Sequence, residues 1–167
     1  MSSPMIKTTG RGLTATLAIA VLGSMLLPGM ALAGTAEEIT AEILAANAYT
    51  RDNLKDMDSG ISSKGSLQFW SSGGLIQRVS GSDPSATYVS FALTPKYIEV
   101  VVLEEGKSAV AMYYSEGSFQ ETGRQPVAHY MTRITEAYVK ENGKWVVRAA
   151  HYSPIAAGSG TNQSSID

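Results

Sequence analysis

Cysteine is absent from the 167-residue chain. That excludes disulfides, cysteine-ligated zinc or iron–sulfur centres, and a cysteine nucleophile. Histidine occurs only twice, as His129 and His151, too few for a histidine-rich metal centre. Thirteen Lys and Arg stand against fifteen Asp and Glu, so no cationic excess exists to release counterions from nucleic-acid phosphates. Phosphate-loop and serine-hydrolase signatures are missing too. Gly158-Ser159-Gly160-Thr161 has no lysine and follows no strand, and no serine sits in a nucleophile elbow. Asn162-Gln163-Ser164 is a glycosylation acceptor only on a eukaryotic secretory route. What is there, 44% hydrophobic and 17% charged residues, fits one ordinary globular domain.

The first thirty-three residues read as an export signal. Lys7 and Arg11 make a short positive region, and Gly12 to Leu27 is almost wholly apolar or small. Pro28 and Gly29 then break any helix, and Ala31-Leu32-Ala33 supplies the small-x-small pattern of a cleavage site. The apolar run is shorter than the roughly 20 residues that span a bilayer. No cysteine follows it and no Arg-Arg pair precedes it, which argues against a lipoprotein and against the twin-arginine route. The expectation is a periplasmic or secreted protein that leaves the membrane once 1–33 is removed. A core must hold it together without disulfides.

From Thr35 the periodicity is helical. Thr35-Ala36-Glu37-Glu38 has the form of a capping box. Ile39, Ile43, Ala46, Leu54 and Met57 recur at helical spacing, which predicts one helix to about Asp58, with a break near Thr50 and a stop at Asp58-Ser59-Gly60. Beyond Gly65 the period becomes two. Leu67–Trp70 and Leu75–Val79 flank Gly73-Gly74 as a hairpin, and Gly81 to Ala86 is a polar loop. Strands are expected at Tyr97–Leu103, Ala109–Phe119, His129–Lys140 and Trp145–Tyr152, with Gly117-Ser118 as a strand irregularity. Asn142-Gly143 predicts a type I′ turn between the last two. The tail 156–167 is small and polar. A helix followed by an antiparallel meander is an α+β fold, its sheet curved over the helix to enclose a pocket.

Thr135 to Ser153 resembles the last hairpin of the nuclear transport factor 2-like superfamily. Members often carry a Lys/Arg-x-x-Gly-x-Trp turn followed by a His and a Ser, here Lys140, Gly143, Trp145, His151 and Ser153. Thr94-Pro95-Lys96-Tyr97-Ile98, with Glu105 and Ala109-Val110-Ala111, is similar to strands of the calcium/calmodulin-dependent kinase II association domain. The chain also resembles SnoaL-like proteins, and the likeness covers nearly all of 34–155. It implies a cone, with a helix inside a curved antiparallel sheet and a pocket at the wide end. It also implies a homodimer through the outer face of the sheet. Members include ketosteroid isomerases, dehydratases, polyketide cyclases and non-catalytic modules, so the resemblance does not fix an activity. It brings no cofactor.

A two-residue turn at Asn142-Gly143 places Arg133, Thr135 and Ala137 on one face with Tyr152, Ala150 and Arg148. Ile134, Glu136 and Tyr138 then share the other face with His151, Ala149 and Val147; a single bulge would exchange the sets. The resemblance puts the isomerases' pocket acid near Thr135 and the association domain's pocket arginines near Ser115, Glu136 and Tyr152. None of those residues is suited to the family's part, which leaves Arg133 or Arg148 to substitute. His151 with His129, Arg133 and Glu116 or Glu136 has the make-up of an acid–base group, because histidine exchanges protons near neutrality and a carboxylate fixes its tautomer. A metal held by both histidines and Glu116 is chemically conceivable, but no spacing demands it. Tyrosine is abundant in the strands, and an apolar ring with a donor at its tip suits a pocket or an interface.

The expected function is therefore an exported small-molecule-binding domain, with no metal and no nucleic acid. The catalytic candidates are His151 and Glu136; the ligand-binding candidates are Arg133, His129, Tyr113, Ser115, Arg148 and Tyr152. The expected partners are a small hydrophobic or weakly acidic ligand and a second copy of the chain. A cofactor-free isomerase, dehydratase or cyclase is the alternative, and an oligomerisation module is the third reading.

Overall fold

A computed structural model of the chain describes residues 33–155. The export segment, apart from Ala33, and the tail 156–167 lie outside the described residues. Helix α1 (Thr35–Asn53) precedes six strands: β1 (Ser66–Phe69), β2 (Gln77–Val79), β3 (Tyr88–Glu104), β4 (Ser108–Glu121), β5 (Val127–Glu141) and β6 (Lys144–Pro154). They form one sheet in the order β2-β1-β6-β5-β4-β3. The α+β expectation holds, with one correction: β1 joins β6 in parallel, so the sheet is mixed and not a pure antiparallel meander. Strands β2 to β5 separate β1 from β6 in sequence, a connection long enough to allow parallel pairing, and β1 lies in the sheet between β2 and β6.

The helix forms where alanine-rich sequence meets acidic residues in the first turn and Arg51 in the last. Its start corrects the capping box. Gly34 is the N-cap and offers no side chain. The Thr35 amide instead donates to Glu105 Oε1 at 2.9 Å, and the Gly106 amide donates to Thr35 Oγ1 at 2.8 Å. Glu38 is drawn away by Lys140 Nζ and Trp145 Nε1, which both donate to its Oε2 at 2.6 Å. Tertiary partners thus replace the local cap and fasten the first turn to two hairpins. The helix also stops earlier than predicted, at Asn53, with Leu54 in the left-handed region at φ 51°. Thr50 does not break it. Its hydroxyl bonds back to the Ala46 carbonyl and reaches Asp56, so a buried polar residue occupies the apolar stripe at low cost.

Ile39 and Ile43 meet Ala109, Ala111, Tyr138 and Trp145, with Ile98, Val100, Tyr113 and Val147 around them. The alanines let the helix approach the sheet closely. Strands β3 to β6 run longer than the sequence predicts, because their polar residues alternate onto an open face and give no apolar signal. The Asn142-Gly143 turn is as expected, with φ 51° and 79° at its two residues. The Gly117 irregularity is present as well: at φ 142°, a Cβ there would meet the Ala92 carbonyl oxygen at 2.0 Å.

Register decides which residues can share a site. From the turn, Tyr138 pairs with Val147 as predicted, but Ala137 pairs with Ala149, which leaves Arg148 as one extra residue in β6. The bulge exchanges the two sets beyond it. Thr135 lies opposite His151, and Glu136 lies opposite Ala150.

Ile39 is fully buried, so Ile39→Ala is expected to cost about 2–5 kcal/mol in urea unfolding. Leu75→Ala, at a side chain 93% exposed, is expected to change stability by about 0.5 kcal/mol or less in the same assay.

Candidate functional site

On the helix-covered face of β5, Glu136 sits between Ala111 of β4 and Ala150 of β6. These two methyl-sized neighbours leave room for its carboxylate. Residues two apart on a strand share a face. Tyr113, Tyr138 and Tyr152, each two positions along its own strand from Ala111, Glu136 and Ala150, therefore share its face. Tyr138 Oη donates to Glu136 Oε2 at 2.7 Å, Tyr113 Oη to the same oxygen at 3.0 Å, and Tyr152 Oη to Oε1 at 3.0 Å. Glu136 is only 6% exposed.

Burial pushes the Glu136 carboxyl above its usual range, against the pull of the three phenols, with Tyr138 the strongest of them. Tyr113 and Tyr152 are driven well above the ordinary phenol range, first by burial and then by the charge of Glu136, and Tyr138 rises for the same reasons. The three hydroxyls therefore remain donors at any physiological pH. An ionised carboxylate has about four acceptor positions. Three are filled by the phenols, which leaves one without a partner among the described residues. It can also hold or exchange a proton, because the elevated carboxyl is closer to neutrality than an exposed glutamate.

Around this centre stand polar groups that sequence reasoning did not select. Gln68 of β1 is the parallel partner of Ala150, so Gln68, Ala150 and Glu136 form one row across three strands on the same face. Gln68 is 3% exposed, and its Nε2 donates to Ser66 Oγ at 3.2 Å, while Oε1 has no hydrogen-bond partner among the described residues. Exchanging the amide's oxygen and nitrogen would only transfer the vacancy to nitrogen. Trp70 stacks on Tyr152 at 5.3 Å and 9°, held by its Nε1 donating to Gln77 Oε1 at 3.0 Å. A second carboxylate, the half-buried Asp56, accepts from Tyr88 Oη at 3.1 Å and Thr50 Oγ1 at 3.2 Å, and burial pushes it upward. Tyr138 carried a readable signal, the Glu-x-Tyr spacing on a strand. Asp56 sits in a loop and carried none.

The opposite face of the sheet bears a groove of about 380 Å³ lined by Met112, Tyr113, Tyr114, Arg133, Ile134, Thr135, His151 and Ser153. His151 packs edge-on against Phe69 at 5.6 Å, and Arg133 Nη2 donates to Ser153 Oγ at 3.1 Å.

The predicted residues thus divide. Glu136, Tyr113 and Tyr152 come together under the helix. His151 and Arg133 come together on the outer face, so pairing His151 with Glu136 in one acid–base group is corrected; the Arg148 bulge separates them. His129 is corrected too. It lies six positions along β5 from Thr135, the partner of His151, roughly 20 Å away at strand rise. The two histidines therefore share no site, and the His129–His151–Glu116 metal arrangement fails with them. Glu116 is paired with Lys96. Ser115 is buried opposite Thr132 and Pro95. Arg148 is committed to the Gly65 carbonyl at 2.9 Å and does not substitute for a pocket arginine.

No protein-family model and no curated protein matches the chain. Solved structures do. A domain from Exiguobacterium sibiricum assigned as a Ca/calmodulin-dependent kinase II association domain superposes with a TM-score of 0.56 at 16% identity, covering 78% of this chain and 100% of that one. A nuclear transport factor 2-like superfamily protein from Salmonella enterica serovar Typhimurium gives 0.53 at 20% identity, covering 77% and 96%. The fold is that of the nuclear transport factor 2-like superfamily. A nuclear transport factor 2-like protein of unknown function from Prochlorococcus gives 0.50 at 15% identity, covering 74% and 95%. At these identities the likeness establishes the nuclear transport factor 2-like fold, and the chemistry must be argued from this chain's own residues.

Tyr152→Phe removes the one phenol on Glu136 Oε1 and is expected to cost about 1–3 kcal/mol in urea unfolding. Tyr97→Phe, at a ring 78% exposed, is expected to stay within about 0.5 kcal/mol of the parent chain.

Proposed function

We propose that the chain is an exported small-molecule-binding domain on the nuclear transport factor 2-like scaffold, with its ligand held beside Glu136 on the helix-covered face. One observation carries this reading: a carboxylate buried in the sheet and ringed by three tyrosine hydroxyls. Packing alone does not call for such a group, since well-packed apolar residues commonly replace buried charges without loss of stability. Strongly perturbed carboxyls cluster at functional sites. The open acceptor position on Glu136 and the unpaired Gln68 amide in the same row favour a neutral ligand that carries hydrogen-bond donors.

The raised Glu136 carboxyl also favours a second reading, a cofactor-free isomerase, dehydratase or cyclase in which Glu136 moves a proton while the tyrosines hold it in place. An oligomerisation module with no ligand leaves the buried carboxylate without a purpose. Export rests on the segment 1–33, which supports a periplasmic or secreted location. A homodimer belongs to the same proposal. Tyr97, Val101 and Leu103 of edge strand β3 are exposed and apolar, and a partner there would cover them.

Native mass spectrometry of the protein purified from its own periplasm or culture fluid tests the proposal. The expected result is a chain beginning at Gly34 with one small molecule retained per protomer, absent from Glu136→Gln. Retention that is equal in the variant, or an empty wild-type protomer, would overturn the reading of this site.

A further inference from the structure

Glu136 and Gln68, the two polar side chains of one row with hydrogen-bond capacity left, are both buried. A molecule reaches them only if part of the fold moves. Helix α1 is not that part, because Glu38 and Thr35 fasten its first turn to Lys140, Trp145 and Glu105. Nor are β3 to β6, which are 17, 14, 15 and 11 residues long and paired along most of that length. The β1–β2 hairpin is held far less. β2 has three residues and pairs only with β1, at the end of the sheet. β1 has four, of which Leu67, Gln68 and Phe69 pair with β6 in parallel, the weaker kind of ladder. A two-stranded hairpin this short has little stability of its own. Beyond the ladder, Trp70 stacks on Tyr152 at 5.3 Å, Phe69 meets His151 edge-on at 5.6 Å, and Tyr130 Oη donates to Ser71 Oγ at 2.6 Å. The tip is free: Leu75 and Ile76 are exposed, and a Cβ added at Gly73 or Gly74 would meet nothing within 4 Å. The two ends, in contrast, are fixed. Gly65, at φ 75°, accepts from Arg148 at its carbonyl and donates its amide to the Ser62 carbonyl at 2.8 Å. The Ser80 amide donates to Asp83 Oδ2 at 2.7 Å.

We propose that the β1–β2 hairpin is the movable cover of the Glu136 site, turning about Gly65 and Ser80 and latched by Trp70 on Tyr152. This rests on the reading of Glu136 as a ligand site and adds the way in. Opening lifts Gln68 off Ala150 and bares the Tyr152 ring. The latch touches the site directly, since the ring beneath Trp70 belongs to the phenol that donates to Glu136 Oε1. Trp70 Nε1 donates to Gln77 of β2, so the indole is tied to the hairpin and moves with it. The vacancy on the Gln68 amide is accounted for as well, because the open hairpin carries that amide to solvent or to a ligand. Release of a three-pair ladder, two ring contacts and one side-chain hydrogen bond is a local event, far smaller than unfolding of the sheet.

The test is native-state hydrogen exchange of the isotope-labelled protein in low urea, read by NMR at the backbone amides and at the Tyr152 hydroxyl proton. The amides of β1 and β2 are expected to exchange together, through an opening that depends weakly on urea and leaves β4 and β5 protected. The Tyr152 hydroxyl proton is expected to exchange in that same opening. Trp70→Ala is expected to speed both about tenfold, the scale of a lost aromatic pair, with β4 and β5 unchanged. Trp70 is 42% exposed, so the variant should keep its fold. Tyr130→Phe, which removes the bond to Ser71, is expected to give a smaller rise, and Leu75→Ala none. Exchange of β1 only in step with β5, a Trp70→Ala effect spread equally over all strands, or a Tyr152 hydroxyl proton indifferent to Trp70→Ala would each overturn the proposal. An empty protomer in mass spectrometry would count against the binding reading alone, since the opening is read without a ligand.

Discussion

One extra residue in β6 sets the chemistry of both sheet faces. Between the Asn142-Gly143 turn and the end of the hairpin, Arg148 has no partner of its own on β5, and every residue beyond it changes face. Because of that shift Tyr152 points under the helix to meet Glu136, and His151 points outward to meet Arg133. Without it, a histidine would stand beside the buried carboxylate, and Tyr152 would line the outer groove. The Arg148 side chain reaches the Gly65 carbonyl, two residues before β1 begins its parallel pairing with β6 at Leu67. The bulge and the parallel pairing are therefore joined by one hydrogen bond.

The Glu136 cluster depends on small neighbours as much as on polar ones. Ala111 and Ala150 leave the space in which a carboxylate and three phenol tips meet, and larger residues there would displace the carboxyl. Burial and hydrogen bonding act on Glu136 in opposite directions, and burial prevails. The result is a carboxyl of raised pKa in a ring of three donors, with Trp70 laid across Tyr152 and Gln68 two strands along the same row as Glu136. Elsewhere the balance reverses. Glu38, bonded by Lys140 and Trp145, and Glu105, bonded by the Thr35 backbone, are held below the usual carboxylate range and act as fasteners of the helix.

Much of the fold was legible in the chain. The helix, the alternating strands, the Asn142-Gly143 turn and the Gly117 irregularity all follow from local sequence, and the last hairpin carried the superfamily resemblance. The helix cap was misread because Thr35 and Glu38 prefer tertiary partners, which a four-residue pattern does not contain. The parallel pairing of β1 was not legible either, since nothing in Leu67–Trp70 distinguishes a hairpin arm from a strand that also borders β6. Of the candidate residues, Glu136, Tyr113 and Tyr152 proved to be neighbours, as did His151 and Arg133. Pairing members of the two groups failed on the bulge, whose existence a sequence permits but does not locate. Asp56 and Gln68 escaped notice because their burial comes from loop and strand closures far away in sequence.

The most direct test is a carbon-13 titration of the Glu136 side-chain carboxyl in the folded protein, assigned by comparison with Glu136→Gln. The account predicts a titration midpoint above the usual glutamate range, shifted further upward in Tyr138→Phe as one stabilising donor is lost. A midpoint at or below the usual range, or one unmoved by Tyr138→Phe, would contradict a buried carboxyl governed by desolvation and three phenols.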